Sequence, residues 1–365
     1  MGTSTVRYPA ELLRHFAEQV FIQFGVSQRD AQQAADVLIA ADLRAIDSHG
    51  VARLKAYCDL LREGRLNPRP QVRVIRETAS TATIDGDHGL GLIVGAAANA
   101  VALDKAEQIG TGWVTVCNSN HYGIAGYYVL QAAARGMIGW SMTNSNAMVV
   151  PLGGAERKFG TNPIAFAFPA GRQPPIVIDM STSAVPFGKI EMARRRGESI
   201  PDGWGVDGDG RPTNDPAEIV AAGALLPLGS DAQHGGHKGS CLAAVVDMLC
   251  CVLSGANWGP YVQPFALNQT MPTRQVGKGL GHFFGAMRID CFIEPDEFRR
   301  QADAWIHEIR STRPAPGSDG PLIPGDPERE AEAARSHSGI PLIGPVIDEL
   351  RQLSAQTGVP FDPLE

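Results

Sequence analysis

Between residues 72 and 180 the hydrophobic period changes repeatedly, and that pattern constrains the fold more than any other feature. Residues 72–84 alternate as strands do, and Asp85-Gly86-Asp87-His88-Gly89 is a turn. Residues 92–109 have helical spacing. Trp113-Val114-Thr115-Val116 reads as a short buried strand ending in Asn118-Ser119-Asn120-His121. Residues 138–143, 164–168 and 176–180 supply further short strands. Strands mixed with a long helix and separated by turns predict a mixed α/β unit in the middle of the chain.

The flanks are helical. Residues 9–47 read as two amphipathic helices parted near Gly25-Val26-Ser27, with Ser27 as cap of the second. Residues 51–61 continue the pattern until Gly64, Pro68 and Pro70 close it. Pro295-Asp296-Glu297 begins a helix extending toward Ile309, and 314–325 is a Pro/Gly-rich loop. The charged run 328–335 reads as a solvated face. Pro345 fits the first turn of a last helix running to Thr357, with Gly358 just beyond it.

At 365 residues the chain can bury a large core, and more than one domain is expected. A net charge of -7 gives no general attraction to nucleic acid or to an anionic membrane. Cys58, Cys117, Cys241, Cys250, Cys251 and Cys291 form no CxxC pair, which favours free thiols in a reducing, cytoplasmic compartment. The first residues lack a basic-then-apolar signal pattern. The apolar run 241–253 is broken by Asp247 and is too short for a membrane span.

Chemistry concentrates in Asp47-Ser48-His49-Gly50-Val51-Ala52-Arg53. Histidine titrates near neutrality and suits acid–base work, and arginine can grip a carboxylate with two parallel bonds. On a helix, His49 and Arg53 would share a face. A structural reading competes: Asp47 and Ser48 cap a helix while Arg53 makes an interface ion pair. His121 follows a strand, a usual place for a ligand-facing side chain, and it too has a purely structural alternative.

Other motifs carry less. Gly89-Leu90-Gly91-Leu92-Ile93-Val94-Gly95 mimics a dinucleotide fingerprint, but Asp85 and Asp87 crowd the supposed phosphate site and no clean βαβ repeat follows. Close packing of a helix is the better account. Gly277-Lys278-Gly279-Leu280-Gly281 lacks the P-loop spacing and its Ser/Thr, though it still offers backbone donors and Lys278 to an anion. His234 and His237 lack the further ligands of a zinc site, so no metal is expected. Ser48 lacks the Gly-x-Ser-x-Gly elbow of a covalent nucleophile.

Taken in order, the segments Asp47-Ser48-His49-Gly50 with Arg53, His121-Tyr122-Gly123, Gly160-Thr161-Asn162-Pro163, Asp179-Met180-Ser181-Thr182-Ser183, Gly188-Lys189, His237-Lys238-Gly239 and Gly281-His282-Phe283-Phe284 resemble the type 2 malate/L-lactate dehydrogenase family. That family also holds ureidoglycolate, sulfolactate and diketogulonate oxidoreductases, and a related branch reduces cyclic imino acids. The resemblance implies an α/β fold with a non-Rossmann NAD(P)-binding domain and a mainly helical domain, in a homodimer with active sites near the subunit interface. It divides the chain into a helical segment 1–70, a cofactor-binding region 71–230, and a segment 231–365 that completes the site and packs with the N-terminal segment.

The resemblance also assigns roles. Ser48 and His49 match active-site positions, with His49 favoured for proton transfer. Arg53 matches the clamp for the substrate carboxylate, and Thr161 a substrate contact. His121 matches a catalytic base in some members and part of the cofactor pocket in others. Ser145, Asp179, Met180, Ser181 and Lys238 match cofactor contacts, with Gly279, Leu280 and Gly281 closing over another part of the dinucleotide. The cofactor implied is NAD or NADP, with NAD favoured, and the substrate a small 2-hydroxy or 2-oxo carboxylate. The imino-acid branch carries an acidic catalytic partner near Gly188-Lys189, so Lys189 favours a 2-oxo acid. The competing readings are a cyclic imino-acid reductase, a ureidoglycolate or sulfolactate dehydrogenase, and an anion-binding regulatory or structural oligomer.

Overall fold

The computed structural model describes residues 5–267 and 269–361. The chain opens with strand β1 (Thr5–Tyr8) and helices α1 (Ala10–Gln23) and α2 (Gln28–Leu43). Ser27 caps α2 by accepting the Asp30 N–H at 3.3 Å, as expected of that residue before a helical run. α2 buries Ala31, Ala34, Ala35, Val37, Leu38 and Ala41, mostly small side chains that allow close packing. Two short 3-10 turns, Asp47–His49 and Val51–Arg53, then lead into α3 (Leu54–Arg62). Residues 51–61 are therefore helical, but their first turn is the tighter type.

The middle of the chain forms β2 (Arg73–Glu77), β3 (Thr81–Asp85), α4 (Gly91–Ile109), β4 (Thr111–Ser119), α5 (Gly126–Ala134), β5 (Met137–Thr143), β6 (Ile164–Phe168) and β7 (Ile176–Met180). A small region follows with α6 (Phe187–Arg196), β8 (Gly205–Val206), β9 (Pro212–Thr213), α7 (Pro216–Ala221) and β10 (Ala224–Leu225). α8 (Gly236–Val246) widens into a π-type segment, Asp247–Val252, before β11 (Leu280–Arg288).

The main sheet has seven strands in the order β2-β3-β4-β11-β5-β6-β7. Of its neighbouring pairs only β3–β4 is parallel, so the sheet is mixed and lacks the parallel core of a Rossmann fold. β11 lies at its centre, though it comes late in the chain. Phe283 and Phe284 point to opposite faces, as period 2 requires. Phe283 joins Cys250 and Met142 on one face, and Phe284 joins Tyr128 and Ala98 on the other. The sheet is thus layered between α4 and α5 on one side and the π-type segment on the other.

The glycine run at the start of α4 is a packing device. A Cβ on Gly91 would lie 2.0 Å from the Asn120 carbonyl oxygen, so only glycine lets α4 press against the end of β4.

The chain ends with α9 (Pro295–Arg310), α10 (Asp326–Ser338), β12 (Ile340–Ile343) and α11 (Gly344–Thr357). β12 pairs antiparallel with β1, and Leu350 and Leu353 of α11 share a core with Phe16, Leu38 and Leu54. The C-terminal elements thereby hold the N-terminal helices. The charged run in α10 differs from its expected role as a solvated face. Arg335 pairs with Asp47 and Glu332 with the buried Arg44, so part of the run is directed at the turn that carries Ser48 and His49.

All six cysteines are free thiols. No helix among the described residues is long and apolar enough to cross a membrane.

Candidate active site

One wall of the site is the pair of 3-10 turns after α2. Asp42, 1% exposed, accepts the Val51 N–H at 2.8 Å and ties the turns back to the helix they left. A Cβ on Gly50 would lie 1.9 Å from the Asp42 carboxylate, so the glycine after His49 is needed for that approach. Arg335 reaches the Asp42 carbonyl at 2.5 Å and pairs with Asp47. Within this frame the Ser48 hydroxyl meets His49 Nδ1 at 2.9 Å, and Arg53 Nε donates to the Ser48 carbonyl at 2.7 Å.

The Arg53 guanidinium sits 5.9 Å from the centre of the Phe265 ring and has no carboxylate partner among the described residues. Its remaining N–H groups are thus available to an anion. Ser48 and Asp47 make no side-chain bond to the orphan N–H groups of a helix start among the described residues, so capping does not explain the motif.

The other wall comes from the ends of the central strands. His121 stands just past β4 and stacks on His49, with ring centres 5.4 Å apart and planes 26° apart. The Tyr57 hydroxyl lies 2.5 Å from His121 Nδ1, and Phe265 packs against both rings. A narrow recess beside His121 is lined by Asn120, Ser145, Asn146, Phe265 and Leu280, among others. Arg65 and Gln263 join it to a wider recess of about 380 Å³.

Behind the recess the Ser145 hydroxyl accepts the Thr161 N–H at 3.0 Å and lies 3.3 Å from the Thr161 hydroxyl. Thr182 in turn donates its N–H to the Thr161 carbonyl, and its own carbonyl accepts from Leu228. Leu228 accepts the Gly239 N–H, which places the exposed Lys238 on the adjoining turn of α8.

The remaining expected cofactor contacts are arranged unevenly. Asp179 accepts the Gly126 N–H at 2.7 Å at the start of α5, and desolvation raises its carboxyl to about 6 against the pull of that N–H. Met180 is exposed, and Ser181 is bonded within its own loop to Ser183. Leu280 reaches the recess. The N–H of Gly281 already donates to Asn144 Oδ1 at 3.0 Å, the carbonyl of Gly279 accepts from Asn257, and the strand register shifts between Leu280 and His282. His282 is fully buried between Thr143 and Ser119, 2.7 Å from each hydroxyl, and stitches the strand ends together.

Local chemistry keeps the stacked imidazoles neutral. Crowding by the surrounding protein lowers the pKa of His49 to about 4, and the neighbouring Arg53 pushes the same way. His49 is half-buried. His121 is held well below its ordinary value by desolvation and by the cationic forms of His49 and Arg53. Asp42 moves the opposite way: burial raises its carboxyl to about 7, against the pull of the Val51 N–H.

Sequence reasoning missed Tyr57, Phe265 and Asp42. Tyr57 lies four residues beyond Arg53 on α3, and a tyrosine at that spacing in an apolar face was a readable signal. Phe265 gave none, because it comes from a loop far away in the sequence. His234 bonds Asp231 at 2.9 Å on the surface, and among the described residues no three His, Cys, Asp or Glu side chains converge as metal ligands.

Two neutral imidazoles thus lie beside a guanidinium that has no acidic partner among the described residues, an arrangement chemically able to move a proton next to a bound anion. Comparison with known proteins gives the class. The family model for malate/L-lactate dehydrogenase matches residues 8–351. A malate dehydrogenase of Pyrococcus horikoshii is 44% identical over 355 residues, 97% of this chain and 96% of that protein. The L-sulfolactate dehydrogenase of Methanocaldococcus jannaschii is 38% identical over 340 residues, 93% and 94% of the two chains. Among solved structures, the malate dehydrogenase of Entamoeba histolytica superposes with a TM-score of 0.91 at 34% identity, covering 98% of this chain and 99% of that one.

The protein is an oxidoreductase of the hydroxy-acid type. It belongs to the malate/L-lactate dehydrogenase family.

Proposed function

We propose that this protein interconverts a small 2-hydroxy carboxylate and its 2-oxo acid with a nicotinamide cofactor, and that malate is the first substrate to test. The observation that carries this reading is the stacked His49–His121 pair beside Arg53, which has no acidic partner among the described residues. The similarity to malate and sulfolactate dehydrogenases supports it and favours an acid bearing a second anionic group.

The donor set at the recess suits a nicotinamide. Leu280 and Phe265 give apolar walls for a flat ring, and Ser145, Asn120 and Asn146 give hydroxyl and amide groups for a carboxamide. Asp179, Met180, Ser181 and Lys238 would hold the rest of the dinucleotide. When bound, the cofactor supplies hydride acceptance in oxidation and hydride donation in reduction.

The chain's own residues do the rest. Arg53 holds the C1 carboxylate and fixes C2, which converts a bimolecular encounter into an oriented one. Ser145 lines the recess beside His121, and Thr161, bonded to it, would be the further substrate contact. An imidazole of the pair takes the hydroxyl proton in oxidation and returns it in reduction. A neutral ring is the form a base needs, and desolvation maintains it at neutral pH.

NAD is favoured over NADP, and the reading extends to a cytoplasmic homodimer. The exposed Met248, Val252 and Leu253 on one stretch of chain support a second copy packing there. Lys189 supports a 2-oxo acid over a cyclic imine, since it lies 5.9 Å over the Trp204 ring with no acidic group in its place.

The test is a panel of L-malate, L-lactate, sulfolactate, ureidoglycolate and a cyclic imino acid, each with NAD and NADP. The readout is the absorbance of the reduced cofactor. Turnover of a hydroxy acid with NAD supports the reading. Turnover of the imine alone replaces it with the reductase, and cofactor binding without turnover of any compound favours a regulatory protein.

A further inference from the structure

The stacked imidazoles have unlike partners, and the difference separates their roles. His121 Nδ1 lies 2.5 Å from the Tyr57 hydroxyl and 3.4 Å from the Gly123 backbone N–H. An amide N–H donates and cannot accept, so the nitrogen facing it presents a lone pair. Tyr57 is fully buried, and the other hydrogen-bond contact of its hydroxyl among the described residues is the His121 carbonyl at 3.5 Å. Burial raises its phenol well above the ordinary value, so the hydroxyl keeps its proton and donates it to Nδ1. A neutral imidazole with an accepting Nδ1 carries its hydrogen on Nε2.

His49 is different. Its Nδ1 meets the exposed Ser48 hydroxyl at 2.9 Å, and a hydroxyl both donates and accepts. Ser48 makes no other side-chain bond among the described residues, so this contact can run in either direction. With Ser48 accepting, His49 Nε2 is a free base. With Ser48 donating, Nε2 carries a proton.

We infer that Tyr57 is a positioning residue that locks His121 as the Nε2–H tautomer, which leaves His49 as the imidazole that exchanges a proton with the substrate. The inference rests on the dehydrogenase reading above and deepens it. In oxidation the substrate O–H bond breaks and its proton joins His49 Nε2. The electron pair stays on oxygen and closes the C2=O bond, and a nicotinamide bound in the recess would accept the hydride from C2. His121 donates its Nε2–H to a ligand oxygen and keeps its protonation state. Its single lone pair is already engaged by Tyr57 and Gly123.

The test is a long-range proton–nitrogen spectrum of protein carrying nitrogen-15 histidine, with the His121 signals identified by their loss in His121→Asn. The expected spectrum shows His121 neutral, with unprotonated Nδ1 and protonated Nε2, between about pH 6 and pH 8. Tyr57→Phe should give a mixture of tautomers and a loss of kcat of about tenfold with little change in KM. His121→Gln, which keeps an N–H donor, should retain more of the rate than His49→Gln. A wild-type His121 protonated on Nδ1, or the reverse order of the two glutamine variants, overturns the inference. If no hydroxy acid reduces the cofactor, the dehydrogenase reading falls, while the spectrum still decides the tautomer.

Discussion

The two walls of the site are built in opposite ways. His49, Arg53 and Tyr57 come from nine consecutive residues and are held from behind by Asp42 and Arg335. His121, Ser145 and Leu280 come from three separate strand ends and are held by the sheet itself. The first wall is local in sequence and depends on a few charged and polar contacts. The second is remote in sequence and rests on many backbone bonds. This contrast shows where the chemistry can be altered singly: changes in the first wall should move catalysis or binding, and changes to its supports should move stability and order.

The largest effect short of the proton-transfer residue is expected at Arg53. Losing a charge-assisted clamp costs about 1.5–3 kcal/mol, or roughly 10–100-fold. Arg53→Ala should therefore raise KM for the hydroxy acid by that factor, measured by steady-state kinetics, with Arg53→Lys recovering only part of it because lysine lacks the planar fork. An unchanged KM would remove Arg53 from the substrate.

Gly50→Ala tests the support beneath. The added Cβ meets the Asp42 carboxylate, and overpacking a tight site costs about 1–3 kcal/mol, read as a lower Tm together with reduced activity. A variant with wild-type Tm would show that the turn has room the structure does not show.

Asp42→Asn gives a pH-dependent result. The folded-state pKa of Asp42 is raised to about 7 from 3.8, so its contribution favours folding most at low pH and is lost as pH rises toward about 7. The substituted asparagine can still accept from Val51 and carries no buried charge. The Tm of this variant relative to wild type should therefore climb between about pH 4 and pH 7 and then level off. A difference that is flat with pH would mean that Asp42 is not held uncharged by burial. His49 has the opposite sign: its pKa is lowered to about 4, so its contribution to folding is present above 6.5 and lost as pH falls.

The smallest effect is expected at Arg335→Ala. Its ion-pair partner Asp47 is exposed, and such pairs contribute about 0–1 kcal/mol, while its hydrogen bond to the Asp42 carbonyl adds about 0.5–1.5 kcal/mol. Thermal melts should show a small loss, with KM and kcat within about twofold. A large loss of activity would mean that α10 sets the turn far more firmly than this pairing allows.

Much of the first wall was legible because its signals are local. Ser27 before a helical run, the Ser48-His49 pair with Arg53 close behind, and Gly358 after the last helix each act through neighbours in the chain. The short strands 164–168 and 176–180 were readable for the same reason, since each is bounded by turns. β11 was not. It packs apolar residues on both faces and contains Gly281 and Gly285, so it shows no alternation and resembles a glycine loop. The stacking of His121 on His49, the contact of Tyr57 with His121 and the cover of Phe265 depend on chain folding over long separations, which spacing alone does not encode. Arg335 was hidden inside a charged run whose ordinary role is solvation.

The central claim is that the first wall carries the proton. The most direct measurement is the single-turnover rate of cofactor reduction by saturating hydroxy acid in His49→Gln, compared with wild type. Loss of a positioned base costs typically about 10²–10⁴-fold, and the account predicts a fall in that range with substrate still bound. A hydride-transfer rate equal to that of the wild type would contradict it.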